Sequence, residues 1–172
     1  MYRLRELKRE DLQKINKWRN DNELINYLGA PFRYINLDVD YKWYDNYMQN
    51  RSNTVRCAIV ECSGEHNILG LVSLTNIDLI NRNAEFHIMI GDKDNRGKGI
   101  GYFATIAILK HAFNNLNLNR IELGVLESNF RAIKLYEKVG FKSEGVKRQS
   151  TYKNGELVNM IIMSILKDEF AK

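Results

Sequence analysis

The stretch Arg82-Asn83-Ala84-Glu85-Phe86-His87-Ile88-Met89-Ile90, with Gly91-Asp92-Lys93-Asp94-Asn95-Arg96-Gly97-Lys98-Gly99 and Ile100-Gly101-Tyr102-Phe103-Ala104 after it, decides the fold. Its first part alternates: Ala84, Phe86, Ile88 and Ile90 on one face, Glu85, His87 and Met89 on the other, as in a strand. Its last part changes period. Ile100, Phe103, Ala104, Ala107 and Ile108 stand at i, i+3, i+4, i+7 and i+8, the apolar stripe of a helix. Between them lies a polar turn rich in glycine. The first N–H groups of a helix have no intrahelical partner, and the helix dipole favours negative charge there. Glycine lets a phosphate approach the backbone, and Arg96 and Lys98 add positive charge. Arg96, Gly97, Lys98, Gly99, Ile100 and Gly101 are therefore suited to a pyrophosphate. The Walker pattern fails, with Asp92 and Gly99 where Gly and Ser/Thr belong. The dinucleotide pattern fails at Tyr102. A glycine-rich turn with no ligand is the bland alternative.

Outward from this unit, Asn119 to Leu126 reads as a strand. Ser128 is a good N-cap for a helix with Ala132, Leu135, Tyr136 and Val139 inside and Gly140 at its end. Phe141–Tyr152 and Leu157–Leu166 form a strand pair around Asn154-Gly155, a type I′ hairpin signal. Upstream, Tyr2–Leu7 is a strand and a helix starts near Asp11 with Leu12 and Ile15 inward. A short helix carries Leu24, Tyr27 and Leu28, and Pro31–Asp38 reads as loop. Trp43, Tyr44, Tyr47 and Met48 have helical spacing. Val55–Glu61 and Ile68–Asn76 are paired strands. The predicted fold is α/β of α+β type: a mixed, mostly antiparallel seven-stranded sheet with one parallel pair and helices on both faces.

The 172 residues suit a single domain, 1–172, with no repeat or linker inside. Hydrophobic residues are 44% and charged residues 27%, an ordinary globular balance. No apolar run has the length or flanks of a signal peptide or membrane span, so a cytoplasmic protein without membrane contact is expected. Cys57 and Cys62 lie at odd separation in a strand-like run and read as two reduced residues. The net charge of +5 is spread along the chain rather than gathered in runs. It favours an anionic small molecule over nucleic acid as partner. No metal site is expected.

Two blocks carry a resemblance. Arg96, Gly99 and Gly101 match the Arg/Gln-x-x-Gly-x-Gly/Ala signature of the GNAT superfamily at a strand-to-helix turn. Asn129, Ala132, Tyr136, Gly140 and Phe141 match that family's Asn-x-x-Ala-x-x-x-Tyr-x-x-x-Gly-Phe run. The chain resembles the branch holding ribosomal-protein N-terminal, spermidine and nucleotide-amino-sugar acetyltransferases. The resemblance implies acetyl-CoA as co-substrate, bound between two splayed parallel strands. Main-chain groups of Ile88, Met89 and Ile90 would take the pantetheine, and Asn129 either bonds the cofactor or serves its helix N-terminus. Tyr136 is implied as acid toward the CoA sulfur, with a core tyrosine bonded to backbone as the alternative. Glu85, through water, and His87 compete as base.

The acceptor is less defined. Trp18-Arg19-Asn20 resembles the amino-sugar members. The loop Gly29–Tyr34 offers Phe32, Arg33 and Tyr34 but no carboxylate, which argues for a nucleotide-linked amino sugar ahead of a polyamine. Trp18, Arg19, Phe32, Arg33 and Tyr34 are accordingly expected at the acceptor. A protein N-terminus is the second acceptor class, and a non-catalytic acyl-CoA-binding domain the reading outside enzymes. A homodimer is one option for assembly.

Overall fold

The computed structural model describes residues 1–170, the side chains of Glu65 and His66 excepted. The chain runs β1 (Tyr2–Glu6), a 3-10 turn (Arg9–Asp11), α1 (Leu12–Arg19), α2 (Asn22–Asn26), α3 (Leu37–Gln49), β2 (Val55–Glu61), β3 (Gly64–Asp78), β4 (Asn83–Ile90), a second 3-10 turn (Lys93–Asn95), α4 (Ile100–Asn114), β5 (Arg120–Leu126), α5 (Phe130–Val139), β6 (Lys142–Lys153), β7 (Glu156–Leu166) and α6 (Lys167–Phe170). The sheet has seven strands in the order β1-β2-β3-β4-β5-β7-β6. Every pairing is antiparallel except β4 with β5. The mixed sheet expected from the sequence is present.

Local differences have local causes. β3 begins at Gly64 rather than Ile68, because register shifts around Val60 bring Gly64 opposite Glu61. α3 starts inside the predicted loop, where the Asn36 side chain caps it by accepting the Asp38 N–H. The N-cap of α5 is Asn129 and not Ser128: Asn129 Oδ1 accepts the Ala132 N–H at 3.2 Å.

The alternation of β4 feeds two cores. Ala84 and Phe86 are buried and Ile88 and Ile90 pack beside them, together with Ile100, Ala104 and Ile108 of α4 and Tyr136 of α5. Met89 points the other way, onto a cluster with Leu12, Ile15 and Trp18 of α1 and Trp43 and Tyr44 of α3. Each large aliphatic side chain removed from water on these faces contributes roughly 2 kcal/mol before entropy is counted.

β4 and β5 pair only from Asn83–Arg120 to Glu85–Glu122. Beyond that, β4 stays with β3 as far as Ile90 opposite Gly70, and β5 stays with β7 as far as Leu126 opposite Met160. The two strands part while each keeps an outer partner. A wedge opens at the middle of the sheet, with main-chain groups of β4 facing it unpaired by any strand.

At the closed end of the wedge Arg120 is clamped. It donates to both oxygens of Glu144 at 2.6 Å and, through Nη2, to Glu122 Oε2 at 3.0 Å. Ser164 Oγ donates to Glu144 as well. The Arg120 bonds, helped by Ser164, hold the Glu144 carboxyl down at about 2. A carboxyl depressed in the folded state adds stability above its unfolded pKa and loses it as pH falls toward the folded one. Glu144→Gln is therefore expected to lower the urea midpoint at neutral pH, with the gap to wild type closing as pH drops from 4.5 toward 2. A gap that is the same at both ends of that range would show that Glu144 carries no proton-linked stability.

Candidate active site

The wedge continues into the glycine turn. Gly97 and Gly99 both hold positive φ, +86° and +80°, a region costly for a side chain with Cβ. Gly99 is the N-cap of α4 and has no side-chain bond over it, so the first-turn amides face open space. A Cβ built on Gly99 meets nothing within 4 Å. The turn is thus a bare nest of N–H groups at the start of a fifteen-residue helix, a geometry that fits pyrophosphate. Arg96 is engaged elsewhere. Its Nη2 donates to Gly91 O at 3.1 Å and its guanidinium lies over the Tyr27 ring. The cation beside the glycines is Arg131 of α5, whose Nη2 lies 3.1 Å from a Cβ placed on Gly97. Arg131 belongs to the second motif block by position, yet nothing in its spacing says that it reaches back to Gly97. Lys98 is exposed at the rim.

Two cavities meet at the wedge. One, about 460 Å³, runs from the glycine turn past Ile90 and Ile88 to Tyr136. The other, about 750 Å³, holds Glu85, His87, Met89 and Glu122. Ile88, Asn129 and Tyr136 line both. Tyr136 is 8% exposed and packs edge-on to Phe86, with ring centroids 5.9 Å apart. Its hydroxyl makes no hydrogen bond to any described residue, so the backbone-bonded core tyrosine is not what the fold builds. Burial pushes its pKa up to about 12, and the proton stays on at neutral pH.

In the second cavity, Glu85 and His87 share one face of β4. His87 Nε2 lies 2.9 Å from Thr75 Oγ1 and 3.7 Å from Glu85 Oε2. Loss of water around the imidazole lowers its pKa, Glu85 opposes this, and the nearby Arg56 adds to it. Glu122 stands directly opposite Glu85 across the parallel pair. It is invisible in the sequence because that register depends on where two distant strands meet.

The segment Tyr27–Ala30 forms the facing wall of the second cavity. Two ties hold it. Asn129 Nδ2 donates to Tyr27 O at 2.9 Å, so this residue both caps α5 and pins the wall. Lys153, buried at the end of β6, donates through Nζ to Ile25 O at 2.9 Å and to Ala30 O. Burial lowers its pKa.

The five residues expected at the acceptor are not brought to either cavity. Trp18 is 4% exposed and packs beneath Gly91, where any Cβ would collide with its ring, and its Nε1 donates to Asp92 Oδ1 at 2.9 Å. It braces the strand end that leads into the glycine turn. Arg19 is paired with buried Asp40. Phe32 packs edge-on to Tyr34, which is 91% exposed, and Arg33 points to solvent. Among the described residues no group of three or more His, Cys, Asp or Glu could hold a metal ion, and no helix is long and apolar enough to cross a membrane.

A nest of amides at one end of the slot and carboxylates at the other suit a transferase with an anionic co-substrate, and residues 2–142 match the family described as "Acetyltransferase (GNAT) domain"; the chain belongs to that family. It is an acetyl-CoA-dependent N-acetyltransferase. Over almost its whole length it is similar to the spermidine N(1)-acetyltransferase of Escherichia coli (strain K12), 33% identical over 170 residues, covering 98% of this chain and 87% of that one. The spermidine N(1)-acetyltransferase of Vibrio cholerae serotype O1 is 33% identical over 168 residues, covering 97% and 94%. The crystal structure of spermidine N-acetyltransferase from Vibrio cholerae in complex with CoA and spermine superimposes with a TM-score of 0.92 at 30% identity, covering 99% of this chain and 98% of that one.

The geometry of the turn predicts a charge-specific effect. Asn and Asp both tolerate positive φ, so Gly99→Asn and Gly99→Asp impose similar backbone strain and differ in charge. Gly99→Asp is expected to weaken CoA binding by calorimetry roughly tenfold more than Gly99→Asn. Equal affinities in the two variants would mean that the phosphates do not sit at Gly99.

Proposed function

We propose that this enzyme moves an acetyl group from acetyl-CoA directly to a primary amine of a polyamine, with residues 1–172 acting as one domain. The carrying observation is the hydroxyl of Tyr136, on an otherwise buried ring and without a hydrogen-bond partner among the described residues, where the two cavities meet. Ile88, Met89 and Ile90 offer main-chain groups to the pantetheine arm, and the 96–101 turn with Arg131 takes the pyrophosphate. Asn129 acts through the wall it pins. On the acceptor side, Glu85 accepts the proton that the amine loses, directly or through water, as the nitrogen bonds to the carbonyl carbon. As the carbon–sulfur bond breaks, Tyr136 donates a proton to the sulfur. His87, kept neutral and held by Thr75, supports a second reading in which it takes the amine's proton.

The polyamine replaces the amino sugar as first choice. The loop Phe32-Arg33-Tyr34 that motivated the sugar lies outside the acceptor cavity, whereas Glu85 and Glu122 line it. Carboxylates suit a cationic acceptor, and the relatives named above are spermidine enzymes. The sheet runs from β1 at one edge to β6 at the other, which supports a single domain. The free edge of β6 offers a pairing strand to a second copy and supports the homodimer option. The same reading puts the reaction in the cytoplasm, where acetyl-CoA and free amines meet.

Turnover of acetyl-CoA with spermidine, nucleotide-linked amino sugars and peptides with free N-termini, at matched concentrations, tests the acceptor. Spermidine is expected to lead in kcat/KM by roughly tenfold. A sugar or peptide in first place overturns the polyamine and leaves the transferase, and CoA binding with no turnover of any amine points to a non-catalytic domain. With the best acceptor, Tyr136→Phe is expected to cut kcat by ~10²–10⁴-fold with CoA affinity kept. An unchanged kcat, where chemistry limits turnover, would return Tyr136 to the core.

A further inference from the structure

Glu122 has no part in the acetyl transfer described above, yet it faces the acceptor. In the parallel register it is the partner of Glu85, so the two carboxylates rise from the same face of the sheet on strands about 4.8 Å apart. Like charges placed directly opposite are unfavourable unless something offsets them. The local offsets are incomplete. His87 Nε2 lies 3.7 Å from Glu85 and is held toward its neutral form, and the nearby Arg56 lies over the Trp43 and Tyr47 rings. Arg120 reaches Glu122 through one nitrogen at 3.0 Å, but the same guanidinium also holds Glu144 with two bonds of 2.6 Å. One cation therefore serves two carboxylates. Lys147 lines the cavity as well, and it forms no ion pair with either glutamate. The cavity thus carries excess negative charge at one place, on the β4–β5 floor.

That charge is not an isolated acidic patch. Tyr136, more than nine-tenths buried and with no hydrogen-bond partner for its hydroxyl among the described residues, lines the same cavity, and in the proposed reaction it faces the sulfur. Glu85 belongs to the reacting end. Glu122 lies one strand further along the floor, on the β5 side, where a second nitrogen of a chain-like amine would lie while its first nitrogen is at Glu85.

We propose that Glu122 is the specificity residue of this enzyme: it binds a second, protonated nitrogen of the acceptor while the first, beside Glu85, is acetylated. The proposal rests on the polyamine reading and narrows it. Acceptors need two nitrogens separated by a short carbon chain, and monoamines of the same reach are poor substrates. The Arg120 bond fixes the Glu122 carboxylate without neutralising the pair, so the ammonium meets an anchored anion rather than a floppy one.

The test compares spermidine and 1,4-diaminobutane with n-butylamine. The wild type is expected to prefer 1,4-diaminobutane over n-butylamine by roughly tenfold or more in kcat/KM, carried mainly by KM. Glu122→Gln should cut that preference roughly tenfold, and Glu122→Asp, which keeps the charge, should retain most of it. An equal loss on diamine and monoamine overturns the proposal, because it marks Glu122 as a structural residue. So does a preference that survives Glu122→Gln. Should Glu122→Gln lose its folded melting transition, the wild type decides alone: equal kcat/KM for butylamine and diaminobutane overturns the assignment. Absence of spermidine turnover by the wild type, with another amine acetylated, overturns the polyamine reading itself and is a distinct result.

Discussion

Three residues of parallel pairing, Asn83–Glu85 against Arg120–Glu122, set the terms for the rest of the molecule. A strand that leaves its neighbour normally exposes a row of unsatisfied amides and carbonyls. Here β4 is already bound along its length by β3, and β5 by β7, so each can leave the other without becoming loose. The unsatisfied groups are confined to the inside of the wedge, and there an extended ligand can meet them as a strand would. Aromatic rings pack on the sheet where the two strands part. Tyr136 packs on Phe86 and on Phe141, with centroids 5.9 and 5.7 Å away.

The two sides of the slot have opposite charge. Toward the glycine turn stand Arg96, Lys98, Arg131 and the first amides of α4. In the second cavity stand Glu85 and Glu122. Ile88 and Tyr136 separate the two regions. Global charge describes neither. The +5 of the chain favours an anionic partner, and acetyl-CoA, the co-substrate, answers to it. Fields summed over a whole surface are screened within about 8 Å at physiological salt, while a carboxylate in the cavity acts at contact range.

What could be read from sequence follows from the range of the interaction. The change of period from two to 3.6 across Ala84–Ile108 located β4, the glycine turn and α4, since each is a local pattern. The same holds for Asn154-Gly155 and for the apolar stripe that ends in Tyr136. Features that depend on a second, distant segment were not legible. Trp18 in a polar context looks like a contact residue until Gly91, in a different element, is seen to lack a side chain because the indole occupies that space. Arg131 looks like solvent-facing helix until α5 is docked against the glycine turn. The Glu85–Glu122 pairing requires the start point of a parallel ladder, which no local pattern states. The cap of α5 was misplaced by one residue because Ser128 and Asn129 are both good caps, and the Asn129 amide is selected by its second bond to Tyr27 O.

Lys153 ties the length of the β6–β7 turn to the wall of the second cavity. Its ammonium spans 128 positions of sequence to reach Ile25 O, and it does so from the last residue of β6, next to the Asn154-Gly155 turn. The cavity wall at Tyr27–Ala30 is therefore carried by the hairpin: moving the wall outward means dragging the hairpin tip with it or leaving a buried charge without its carbonyls. A hairpin turn on a free sheet edge is ordinarily a site that tolerates inserted or deleted residues. In this protein one residue more or less at the turn would shift the point from which the lysine reaches, so an apparently permissive surface loop inherits the dimensional tolerance of the active site.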